Sequence, residues 1–99
     1  MNTPEAQTDQ HEVLRRQIQQ ALEDPDIPSI HFNGFINSTG AGDVMLILQQ
    51  NERPVVVLNA SFTVIKTLAQ KLLDQIQNLE QKTGNEIMTT DEVLRKLTG

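Results

Sequence analysis

The chain has 99 residues, no cysteine, tryptophan or tyrosine, three phenylalanines and a formal net charge of −5. That length supports one domain with a modest core. The missing thiols exclude a disulfide framework and a thiolate metal centre, and the acidic balance with so few aromatic rings weighs against nucleic-acid binding.

The opening "MNTPEAQTDQHE" has neither the basic start nor the apolar run of a secretory leader. Residues 1–9 are polar, contain Pro4 and read as a disordered arm. From Gln10 to Glu23 the spacing of Leu14, Ile18, Ala21 and Leu22 predicts a helix with a thin apolar stripe. "DPDIPS" ends it, because a proline pushes the residue before it out of helix space.

The sheet is expected over residues 29–59. "SIHFNGFIN" predicts a half-buried first strand, with Ile30, Phe32 and Ile36 on one parity and His31, Asn33, Phe35 and Asn37 on the other. Gly34 in its middle suggests a bulge or a close backbone approach. "DVMLILQQ" and "VVVLN" are apolar on both parities and read as strands two and three, parted by the turn "NERP". Alternation puts Val44, Leu46 and Leu48 opposite Met45 and Ile47. It also puts Val55 and Val57 opposite Val56 and Leu58. The short links favour an antiparallel meander, since parallel strands need a crossover of a dozen or more residues.

Residues 61–83 read as one long helix. Phe62, Ile65, Ala69, Leu72, Ile76 and Leu79 form a stripe that Leu68 and Leu73 widen to suit a helix lying on a sheet. Ser61 is placed to cap its start and Gly84 to close its end. Thr89 and Glu92 have capping-box spacing, so a tail helix is expected over 90–97 with Val93, Leu94 and Leu97 on its apolar side. Residues 10–99 thus form a single α+β domain. A three-stranded antiparallel meander is followed by one long amphipathic helix, with a helix at the amino terminus and a short one at the end.

"FINSTGAGDVMLIL" followed by "VVVLNASFTVIKTLAQKLLDQIQNLEQKTG" resembles a family of short bacterial and archaeal domains of unknown function. Its members run strand, strand, then S-P-x-x-A-K-x-L-x-x-x-L. Ser61, Lys66, Leu68 and Leu72 match that pattern, while Phe62 stands for its proline and Ile65 for its alanine. The resemblance spans about residues 29–84. It implies a small oligomerising meander-plus-helix domain and carries over no catalytic residue. Sheet followed by long helix is also similar to export chaperones of the SecB kind, at the level of fold.

The glycine-rich "NSTGAGD" is expected to be a hairpin turn. A phosphate loop needs a helix after it, and here an apolar strand follows Gly40-Ala41-Gly42. Glycines there would supply positive φ at no steric cost. His31, Ser38 and Asp43 make a triad on paper without a nucleophile elbow. His11 and His31 lie on different elements, so a zinc site is not expected. Glu23, Asp24 and Asp26 lack calcium-loop spacing and its glycine. Asn59 lies beside Ser61 and is expected to share the cap of the long helix. Neither cofactor nor metal is expected.

Large side chains crowd both parities of the strands, and one helix covers one face at most. Leaving four such residues in water forgoes on the order of 10 kcal/mol at 1.5–3 kcal/mol each, as much as a typical small domain's whole stability. Either the first helix or a second copy must cover the other face. The expectation is a cytoplasmic, non-enzymatic interaction module: an adaptor, assembly factor or holding chaperone acting as a homodimer or larger homo-oligomer. Its partners are itself and another protein, not nucleic acid or membrane. Its contacts are Val55, Val56, Val57 and Leu58 on the strand-three edge, with Met45 and Ile47 beside them. The alternative is a small-molecule or nucleotide sensor with its pocket at the subunit seam.

Overall fold

The computed structural model describes residues 4–99. Helix α1 spans Pro4–Glu23, and strands β1 (Gly34–Thr39), β2 (Asp43–Gln50) and β3 (Arg53–Ser61) follow. They form one antiparallel sheet in the order β1-β2-β3. Helices α2 (Phe62–Thr83) and α3 (Thr90–Thr98) complete the chain. The α+β class, the meander and the long helix are as the sequence predicts.

Helix α1 starts at Pro4 and not at Gln10, so the arm expected over residues 1–9 is helical from Pro4 on; residues 1–3 lie outside the described residues. Proline suits a first helical position, where its fixed φ is already helical and its missing N–H has no intrahelical acceptor to lose. At the other end the Asp24 N–H still donates to the Gln20 carbonyl at 3.0 Å. The Asp24 carboxylate then accepts from the Asp26 N–H at 2.9 Å, which turns the chain out of the helix.

Strand β1 begins at Gly34, five residues later than the expected start at Ser29. Its partner explains this. Gly34 sits opposite Gln49, and β2 ends one residue further on. Residues 29–32 therefore run past the end of the ladder. One backbone bond, from the Asn33 N–H to the Gln49 carbonyl at 3.0 Å, extends the pairing beyond the strand. The sheet's last strand runs to Ser61, past the expected Asn59.

Gly34 is not a bulge, for β1 and β2 pair without a register shift. A Cβ there would meet its nearest atom, Gln49 Oε1, at 3.4 Å. The irregularity lies on β3, where Leu48 pairs with Val56 but Gln49 pairs with Pro54. Val55 is the extra residue. A bulge of this kind locally bends its strand and increases the twist.

Helix α2 is built by its ends. The Ser61 hydroxyl accepts from the Val64 N–H at 3.3 Å. Gly84, at φ 69°, closes the helix in the left-handed region, and its N–H donates to the Glu80 carbonyl at 2.9 Å. The Glu80 carboxylate then accepts from the Ile87 N–H at 2.8 Å and steadies the link to α3. Thr89 and Glu92 form the reciprocal capping box that starts α3.

Packing between these elements is sparse. Among the described residues, α2 meets the sheet only at β2 and β3, and α1 and α3 pack against no other element. No described residue is buried. The radius of gyration is 17.6 Å, against roughly 13 Å for a compact chain of this length. The accessible surface is 9066 Å², where a folded monomer of this mass exposes roughly 5,700 Å².

Candidate interaction surface

Register assigns every strand residue to a face, because residues directly opposite one another in an antiparallel ladder point the same way. One face carries Phe35, Leu48 and Val56 in one row, and Leu46 and Leu58 with Asn37 in the next. The other carries Ile36, Ile47 and Val57 in a row, then Ser38, Met45 and Asn59. The first face is the more apolar. Alternation along β2 follows the sequence pattern.

The six predicted contact residues divide between these faces. Val56 and Leu58 lie on the first, Val57, Met45 and Ile47 on the second. Val55 has no partner across the ladder. The expected grouping of Val55 with Val57 does not hold. The bulge absorbs one residue, so Pro54 and Val57 fall on one face despite opposite sequence parity. Val55, Val57 and Leu58 are exposed, whereas Met45, Ile47 and Val56 are half-buried.

Helix α2 does not cover either face, contrary to the expectation from its stripe. A helix lying on the sheet would bury the central strand on that side. Val44, Met45, Leu46, Ile47 and Leu48 are all only half-buried. On the helix itself Ile65 is half-buried, while Leu68, Leu72, Ile76 and Leu79 remain 41–50% exposed. The joint explains why. Ser61 is both the last residue of β3 and the cap of α2, so no connecting residue lets the chain turn back. Connections that return a helix to its own sheet commonly take 2–6 residues. Nor does α1 seal the sheet, for Leu14, Ile18 and Leu22 on its stripe are exposed, Leu22 to 75%.

The residues that might carry chemistry are not brought together. Ser38 and Asp43 flank the β1–β2 turn, while His31 lies three residues before the opposite end of β1. A six-residue strand alone separates those ends by roughly 17–20 Å. Among the described residues no three His, Asp or Glu side chains stand close enough to hold a metal ion. Ser61 caps α2 while Asn59 pairs with Met45 in the ladder. Asn33 holds a turn, a role open to an asparagine beside a strand. Its carboxamide donates to Asn51 Oδ1 and accepts from the Asn51 N–H, both at 2.9 Å, and so clamps the β2–β3 turn. The only signal was an asparagine at each of two turn-adjacent positions.

Among the described residues, open hollows mark the surface, and two of them adjoin the ends of α2 and α3. One, of about 670 Å³, surrounds the end of α2 at Gln77, Glu80, Gln81 and Glu86. The other, of about 540 Å³, lies between Phe32, Phe35 and Gln49 on the sheet side and Thr90 and Asp91 of α3. Among the described residues no helix is long and apolar enough to cross a membrane. No family model, curated protein or solved structure matches the chain.

Proposed function

We propose that the protein is a non-enzymatic protein-interaction module that works as a homo-oligomer, as an adaptor, assembly factor or holding chaperone does. One observation carries this reading: not one described residue is buried, and the chain exposes 9066 Å². That is about 3,400 Å² more than a folded monomer of its mass. Ordering a chain of about 100 residues costs on the order of 100–200 kcal/mol of conformational entropy. Apolar burial is the main term that offsets it, and the lone chain buries too little. The scattered positions of His31, Ser38 and Asp43 support the non-enzymatic part.

Sedimentation at micromolar concentration tests the reading. The expected species has at least twice the 11.1 kDa chain mass, and a single 11 kDa species would overturn it. Val56→Lys places a charge beside Leu48 on the more apolar face. It is expected to shift the population to a smaller species. Unchanged mass would rule out β3 as part of the interface.

A further inference from the structure

We infer that two copies exchange their long helices: α2 of each chain lies across the sheet face of the other that carries Leu46, Leu48, Val56 and Leu58. This rests on the homo-oligomeric reading above and specifies the partner as a second copy.

Three observations converge on it. Neither the stripe of α2 nor the more apolar sheet face holds a buried residue, and they belong to one chain. The joint at Ser61 has no spare residue to fold one onto the other. A neighbouring chain is free of that restraint. Dimensions agree as well: 22 helical residues span about 33 Å, and the nine residues of β3 span about 30 Å. One chain's helix therefore matches the long dimension of another's sheet.

The exposed area calls for an extensive contact. Obligate dimers bury about 2,000–5,000 Å² in total, or about 1,000–2,500 Å² per chain. The excess here, about 3,400 Å² per chain, is larger than one such patch removes. A reciprocal swap forms two helix-on-sheet seams about one two-fold axis. The contact is then self-complementary and closed, which stops growth into filaments.

Complementation between two variants reads this directly. In the first, Leu72→Lys with Ile76→Lys spoils the helix stripe. In the second, Leu46→Asp with Leu58→Asp spoils the sheet face. Each alone is expected to lose the dimer. Refolded together, they are expected to give a 1:1 heterodimer of about twice the 11.1 kDa chain mass. One of its seams is wholly wild-type, and the other pairs lysines with aspartates. If α2 covered its own sheet, mixing would restore no seam; if helix met helix, the sheet variant would dimerise alone. Absence of rescue, or a dimer of the sheet variant by itself, overturns the exchange.

A measurement on unmodified protein guards against variants that fail to fold. Isotope-labelled and unlabelled chains are refolded as a mixture, and contacts are filtered for those between chains. Methyl contacts from Leu72 and Ile76 to Leu46 and Leu58 are expected between chains. The same contacts within a chain alone would overturn the swap while leaving the oligomer intact. An 11 kDa wild-type species would overturn both.

Discussion

Two turns join the strands, and they use their residues in opposite ways. The first, over Gly40, Ala41 and Gly42, is rich in glycine, yet none of its residues has a left-handed φ. It is closed by a 2.8 Å bond from the Gly40 N–H to the Asp43 carbonyl. The second has no glycine, and both of its central residues are left-handed: Asn51 at φ 52° and Glu52 at φ 71°. Two successive positive φ values identify the type I′ turn whose twist matches that of the flanking strands. The positive φ expected of the glycine-rich turn is therefore found at the turn without glycine. Composition marks where a chain turns; the twist of the strands decides which backbone the turn takes.

Substitutions test this contrast, measured as the unfolding free energy of the assembled protein at fixed concentration. Asn51→Ala carries the largest effect. It removes the side chain that tolerates the left-handed region and half of the clamp to Asn33, and is expected to cost about 1–2 kcal/mol. Glu52→Gly is expected to stabilise by about 1 kcal/mol, since glutamate pays a steric cost at φ 71° that glycine does not. A loss on that change would show that the Glu52 side chain contributes more than its backbone costs. Gly42→Ala is the smallest. A Cβ there meets nothing within 4 Å, and the expected change is within about 0.5 kcal/mol. A loss above about 1 kcal/mol would return this glycine to the role its motif suggests.

The same division runs through the whole chain. Signals that act within a few residues were legible in the sequence. Ser61 and Gly84 bound α2, Thr89 and Glu92 open α3, and the apolar runs mark β2 and β3. Features set by a distant partner were not. The bulge at Val55 depends on how Gln49 pairs with Pro54, and the late start of β1 depends on where β2 stops. Pro4 is ambiguous on its own, because a proline opens a helix as readily as it breaks one. The stripe on α2 correctly announced an apolar helix. It did not say which surface the stripe meets, because amphipathicity records that a face is to be covered and not by what. The Asn33–Asn51 clamp spans eighteen residues and had no periodic signature to betray it.

The shared residue at Ser61 makes β3 and α2 a single lever. With no slack between them, a 10° change in tilt at the joint swings the far end of a 33 Å helix by about 6 Å. Small adjustments of sheet twist are thus magnified at Thr83, so whatever grips the tip of α2 is mechanically informed of the state of the strands.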